Sequence, residues 1–111
     1  MAPGLTPLGR LSEIIKRVRR QLGRYDVTVA VDEPILVGHP YIVTMSKNQL
    51  VYRTLLDWHN VQRFLRGGND ALLAREIRLG FAALDRLMRV HDERQRLRMQ
   101  RKPGGPPRPQ F

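Results

Sequence analysis

The chain has 111 residues, of which 41% are hydrophobic and 27% charged, a composition typical of one folded domain. It contains no cysteine, which excludes disulfide bonds, thiolate nucleophiles and cysteine metal sites, and no apolar run approaches the roughly 20 residues of a membrane span. A formal net charge of +10 favours negatively charged partners.

The positive charge is concentrated at the two ends of the chain. Residues 1–24 and residues 89–111 each carry half of the excess, whereas the charges of residues 25–88 cancel. We therefore divide the chain into a basic amphipathic helix, a neutral α+β core, and a basic helical arm with a Pro/Gly-rich tail. Most of the cations are arginines, whose guanidinium groups suit phosphate and carboxylate, although a genomic composition bias would give the same enrichment.

The first predicted element is an amphipathic helix. Thr6 and Pro7 have the features of a helix start, and Gly23 those of a helix end. Between them, apolar residues recur at spacings of three and four, as in a coiled-coil seam. The seam consists of Leu8, Leu11, Ile15, Val18 and Leu22. Four basic residues fall on the opposite face, Arg10, Lys16, Arg17 and Arg20, and Arg24 follows the helix.

A β-hairpin is predicted next. Residues 25–31 alternate in the manner of a half-buried strand, and residues 41–45 form a second strand candidate. The connection contains Pro34 and a Gly-His-Pro triplet, which interrupt regular structure. The face expected to be buried in the first strand consists of Tyr25, Val27, Val29 and Val31.

Residues 46–65 permit two interpretations. Ser46 and Gln49 have the form of a capping box, which favours one helix that continues to a pair of glycines. Apolar residues at helical spacing support that helix: Val51, Leu55, Trp58, Val61 and Leu65. In the alternative, the chain turns first and residues 50–54 form a third strand. We favour the helix.

The longest periodic segment follows Asn69 or Asp70, either of which could cap it. One apolar stripe contains Leu73, Ile77, Phe81, Leu84 and Met88. Packing should stop near His91 while helix-forming composition persists, which predicts a basic arm about 15 Å long. A proline-rich tail that cannot be helical follows. The predicted fold class is α+β: an N-terminal amphipathic helix, a short hairpin, then two helices, the last long.

Catalytic and metal-binding candidates are weak. Ser46, Asp57 and His59 contain the groups of a triad, but Asp57 and His59 point about 200° apart on the predicted helix. Residues 91–93, His-Asp-Glu, point in three directions on a helix and cannot share one metal ion. The aromatic residues Tyr52, Trp58 and Phe64 have spacing typical of a core, with stacking on bases as the alternative. We expect no enzymatic activity, no cofactor, no metal and no small-molecule substrate.

The basic ends indicate a structural or assembly protein of a nucleic-acid-containing particle, such as a virion or a ribonucleoprotein. Arginines along a helix can follow phosphates without reading sequence. We expect a protein that is not secreted and acts in the cytoplasm or within a virion. The residues expected to bind phosphate or an acidic protein surface are Arg10, Lys16, Arg17, Arg20, Arg24, Arg94, Arg98, Arg101 and Lys102.

The alternative function is a small interaction adaptor or inhibitor whose helical seam docks on a partner helix. Binding through the seam should respond little to salt, whereas phosphate binding should weaken steeply. Protein neighbours in a larger assembly, or further copies of the chain, are the expected partners. The residues expected to dock on them are Leu8, Leu11, Ile15, Val18, Leu22, Pro106, Pro107 and Phe111.

Overall fold

The computed structural model describes residues 6–101, and side chains from 6 to 99. The elements are α1 (Pro7–Leu22), β1 (Thr28–Asp32), β2 (Tyr41–Lys47), β3 (Leu50–Leu56), α2 (Trp58–Leu65) and α3 (Ala71–Arg101). The predicted α+β class is confirmed, with a helix first, an antiparallel sheet next and two helices last. The predictions for Pro106, Pro107 and Phe111 lie outside the described residues.

The start and end of α1 follow the sequence prediction. The Thr6 hydroxyl accepts a hydrogen bond from the Gly9 backbone N at 3.0 Å, and Pro7 occupies the first helical position. At the other end Gly23 has a φ of +67°, and its N–H bonds to the Arg20 carbonyl. Both ends are therefore fixed by local residues before any packing is considered.

The sheet is antiparallel with strand order β1-β2-β3. The predicted hairpin of the first two strands is confirmed, but β1 begins at Thr28, later than expected. Tyr25 consequently precedes the sheet and is exposed, so its predicted place on the buried face is wrong. Its ring lies 5.7 Å from the guanidinium carbon of Arg19, a cation–π contact at the surface.

The interpretation of residues 46–65 as one helix is wrong, because a third strand begins at Leu50. Lys47 pairs with Leu50, and the two residues between them have positive φ angles, 54° at Asn48 and 71° at Gln49. This is the geometry of a type I′ turn, whose twist matches that of the strands it joins. Gln49 therefore belongs to a turn, and the capping-box pattern has no helix to cap.

Buried and exposed residues alternate along β3, and this explains why the apolar spacing of the segment wrongly indicated a helix. Thr54 and Leu56 face the core, whereas Val51 and Leu55 are exposed on the outer face of the sheet. The helix α2 begins only at Trp58, after Asp57. The Asp57 carboxylate accepts a hydrogen bond from the Asn60 backbone N at 3.1 Å, which gives α2 its own N-cap.

The core lies between the inner face of the sheet and the two long helices. α1 and α3 run side by side in the same direction, because Arg17 contacts Asp70 near the start of α3 and Arg24 contacts Asp85 further along. The fully buried large side chains are Leu11, Val18, Val27, Val43, Met45, Leu56, Val61, Leu73, Ile77, Phe81 and Leu84. One helical face of α3 thus forms the centre of the domain, as its stripe predicts.

Beyond Met88, α3 continues without packing partners among the described residues. Met88 is the last residue of the helix that packs on the core cluster, and every described side chain from Arg89 to Met99 is exposed. The predicted end of packing near His91 is therefore confirmed. The arm, defined here as residues 89–101, extends about 20 Å at 1.5 Å per residue.

Candidate functional site

Three of the arginines predicted to bind a partner from the N-terminal region are held by this chain. The Arg10 guanidinium donates to the Leu65 carbonyl oxygen at 2.9 Å and lies 4.8 Å from the centroid of the Phe64 ring. It therefore binds carbonyl groups at the C-terminal end of α2, where the helix dipole favours a cation. This contact joins α1 to α2.

Arg17 and Arg24 are paired with carboxylates. Arg17 Nη2 lies 2.6 Å from Asp70 Oδ2, at the start of α3. Arg24 donates to Asp26, with Nε 3.1 Å from Oδ1, and also to Asp85. Hydrogen bonds to Asp26 and then Asp85 raise the pKa of Arg24. The two arginines, which the sequence analysis predicted to bind phosphate or an acidic surface, are therefore paired with carboxylates of the same chain.

Asp26 accepts from two cations. Hydrogen bonds from Arg24 and then Lys47 hold the pKa of the Asp26 carboxyl well below its usual range. The pairing joins the α1–β1 connection to the end of β2. It is a structural feature that no single-element pattern in the sequence could show.

The remaining predicted cations of α1 face solvent. Lys16 lies 3.6 Å from Glu13 one turn earlier, an exposed pair that contributes little. Arg20 is exposed and has no carboxylate partner among the described side chains. It lines an open cleft with Arg10, Arg17 and Asp70. Of the cations predicted in the N-terminal region, Lys16 and Arg20 are therefore the two that remain exposed to a partner.

The arm presents its predicted arginines openly. Arg94 and Arg98 are exposed, and neither has a carboxylate partner within the described part of the chain. Arg96 lies 3.2 Å from Glu93, an exposed pair within one helical turn. Arg101 ends α3, with its side chain outside the described positions, and Lys102 lies beyond them.

The sequence analysis missed a row of arginines that joins the arm to the domain. We name this row, all exposed, the basic stripe: Arg75, Arg78, Arg86, Arg89 and Arg96. With Ala82 and Glu93, these residues recur at spacings of three and four and so share one side of α3. Arg78 donates to Gln21 at 3.0 Å, which places the stripe beside α1 next to Arg20. The spacing was readable in the sequence, but dividing the charges at residue 89 separated the stripe into two parts.

The apolar seam of α1 is occupied by the core of its own domain. Leu11, Ile15 and Val18 are buried, Leu8 packs partly against the core, and Leu22 remains exposed. A partner helix could reach the buried three only if α1 left the domain. The docking role of the seam therefore stays a prediction, and it does not carry our proposal.

The aromatic and catalytic candidates have structural partners. Trp58 stacks on Tyr41 with ring centroids 6.2 Å apart, and Phe64 lies under Arg10, so both contribute to packing. Asp57 is used as the N-cap of α2. Within residues 6–99, no group of three histidines or carboxylates is close enough to hold a metal ion.

Comparison with family models, with curated proteins and with solved structures produced no match. Among the described helices, none combines the length and the apolar character needed to cross a bilayer. The candidate site therefore rests on geometry and charge alone.

Proposed function

We propose that the protein is a non-enzymatic structural or assembly protein of a nucleic-acid-containing particle, in the cytoplasm or in a virion, and that it binds the phosphate backbone without sequence specificity. The single observation that carries the proposal is the basic stripe. Its arginines lie on one side of α3, exposed to solvent, and spread over about 31 Å from Arg75 to Arg96.

The internal ion pairs strengthen this assignment. Asp70 pairs with Arg17 of α1, and Asp26 and Asp85 pair with cations that follow α1 or end β2, so these carboxylates compensate cations away from the stripe. The exposed arginines of α3 other than Arg96, which pairs with Glu93, have no carboxylate partner among the described side chains. The positive field of these arginines attracts a polyanion and orients it along the helix.

The experiment compares salt dependence in two charge-matched variants. Arg75→Gln/Arg78→Gln/Arg89→Gln removes three cations of the basic stripe. Binding to a random-sequence duplex should weaken at low salt, and the slope of log K against log salt should fall by about three. The measurement is fluorescence anisotropy between about 50 and 200 mM salt.

The control variant is Arg53→Gln/Arg63→Gln/Arg66→Gln, which removes the same charge from exposed positions in β3, within α2 and just after α2. It should keep most of the affinity and nearly the native slope. Equal losses in the two variants would mean that only total charge matters. In that case the basic stripe is not a binding surface and the proposal is wrong.

A further inference from the structure

The connection between β1 and β2 exposes consecutive aliphatic side chains. Ile35 is 99% exposed, Leu36 60% and Val37 83%, so the described part of the chain leaves them almost uncovered. A run of this kind costs solubility and is rare on a surface without a binding role. An open cleft beside it continues to Ile42 on the outer face of the sheet.

The same connection carries the opposite charge from the rest of the molecule. Residues 25–46 contain no lysine or arginine, although the chain has 20 of these residues. Asp32 and Glu33 are exposed immediately before the aliphatic run, and neither has a cation partner among the described side chains. We call the segment from Asp32 to Val37 the acidic loop.

A complementary surface lies on α3. Leu79, Val90 and Leu97 are each about half exposed and follow one another at spacings of 11 and 7 residues, which places them within about 20° on the helix. They lie on the side of α3 opposite its large buried residues, and Arg86 and Arg94 lie on either side of Val90. We call Leu79, Val90 and Leu97 the apolar stripe.

We propose that the acidic loop of one molecule binds the apolar stripe of a second copy of this chain. The aliphatic residues of the loop would cover Val90 and its neighbours, and Asp32 and Glu33 would pair with Arg86 and Arg94. Charge complementarity selects a second copy as the occupant. Two acidic loops placed together, or two arms placed together, would bring like charges into contact. The acidic loop on the apolar stripe instead brings its carboxylates to the arginines that flank Val90.

Each copy offers one acidic loop and one apolar stripe. Two copies can close the contact reciprocally as a symmetric dimer, or association can continue into a ring or a filament. The inference deepens the proposed assembly role but requires no nucleic acid. Its test is therefore carried out without nucleic acid, and either proposal can fail while the other stands.

The experiment is sedimentation velocity of the nuclease-treated full chain over a wide concentration range. The native chain should form dimers or larger species as concentration rises. Leu36→Ser/Val37→Ser alters the loop, and Leu79→Gln/Val90→Gln alters the stripe. Each variant alone should stay monomeric, because it has lost one of the two surfaces.

The mixture of the two variants is decisive. One intact stripe and one intact loop remain between them, so an equimolar mixture should form a heterodimer and nothing larger. Val51→Thr, an exposed aliphatic position elsewhere on the sheet, is the control and should associate like the native chain. Asp32→Asn/Glu33→Gln should weaken association by roughly threefold to tenfold.

Three outcomes would overturn the proposal. A native chain that stays monomeric at every concentration would show that the two surfaces do not meet. Native-like association by either double variant would mean that another surface is responsible. A mixture that stays monomeric would contradict pairing between the loop and the stripe.

Discussion

At Gly80, α3 approaches the sheet so closely that no side chain fits. A Cβ at this position would overlap the Thr54 hydroxyl and lie 3.0 Å from Met45 Cε. Gly80 is thus required by packing, although glycine weakens a helix by about 1 kcal/mol relative to alanine. The close contact between α3 and β3 depends on it.

We predict that Gly80→Ala lowers the free energy of unfolding by about 1–3 kcal/mol despite its better helix propensity. Chemical denaturation measures the change. Adding Thr54→Ala should recover part of the loss, because it removes the oxygen that the new methyl group would overlap. A Gly80→Ala variant as stable as the native chain would show that the helix can shift away from the sheet at no cost.

A second residue-scale prediction concerns the Arg24–Asp26 pair. Because the pairing lowers the pKa of Asp26 in the folded state, its contribution to stability is present above the ordinary aspartate pKa of about 3.9 and is lost as pH falls below it. Arg24→Gln should therefore lose less stability between pH 7 and pH 3 than the native chain does.

Denaturation at the two pH values tests this prediction. Arg53→Gln, which removes an exposed arginine with no carboxylate partner among the described side chains, should keep the native pH dependence. Identical pH profiles for Arg24→Gln and the native chain would assign the acid sensitivity to other carboxylates.

At the scale of elements, the β2–β3 turn is built from residues that fit it imperfectly. Gln49 adopts a φ of 71°, which costs an ordinary L residue roughly 1–2 kcal/mol, whereas Asn48 tolerates this region. Gln49→Gly should raise the free energy of unfolding by about 1 kcal/mol, and Asn48→Gly by less. Thermal denaturation ranks the two, and a larger gain at Asn48 would contradict the argument.

The same turn explains why the sequence misled at this place. Its two central residues are Asn-Gln, without the glycine that usually marks a type I′ turn, while Ser46 and Gln49 imitate a helix cap. The apolar residues that alternate in β3 also happen to stand at helical spacing with Trp58. The segment forms a strand rather than a helix because Thr54 and Leu56 are buried against α3. No local sequence pattern contains this tertiary contact.

The helices α1 and α3, by contrast, could be predicted from local rules. Thr6, Pro7 and Gly23 fix α1, and the stripe of α3 identifies its buried face. The ion pairs of Arg17 with Asp70 and of Arg24 with Asp85 could not be predicted, because these partners are distant in sequence and meet only after folding. Because these arginines of the N-terminal region are paired within the chain, we place the candidate site on α3 rather than on α1.

The two halves of α3 differ in what they contribute to stability, although both are helical. Leu84 is fully buried in the core and Leu97 is half exposed on the arm. Leu84→Ala should lower the free energy of unfolding by about 2–5 kcal/mol, and Leu97→Ala by less than about 0.5 kcal/mol. Urea denaturation at low protein concentration measures both. A large loss at Leu97 would mean that the arm is packed.

At the scale of the whole molecule, the chain is far from spherical. Its radius of gyration is 19.5 Å and its dimensions are 75 × 29 × 20 Å, whereas a compact domain of this length has a radius of about 13 Å. The arm contributes to this elongation, because it is helical and its described side chains are all exposed. The molecule thus combines a small packed domain with a projecting basic helix.

This shape allows the roles of domain and arm to be separated by truncation. A chain that ends at Val90 keeps every described residue of the core cluster, so its thermal midpoint should stay within about 2 °C of native. Small-angle scattering should give a radius of gyration near the roughly 12 Å of a compact domain of 90 residues. Affinity for a nucleic-acid duplex should fall as Arg94, Arg96 and Arg98 are lost, while Arg75, Arg78, Arg86 and Arg89 retain a weaker, salt-dependent interaction.

A truncated chain that unfolds well below the native midpoint would show that the arm folds back and stabilises the domain. In solution the protein would then be compact, and the arm could not present Arg89 and Arg96 of the basic stripe to a partner.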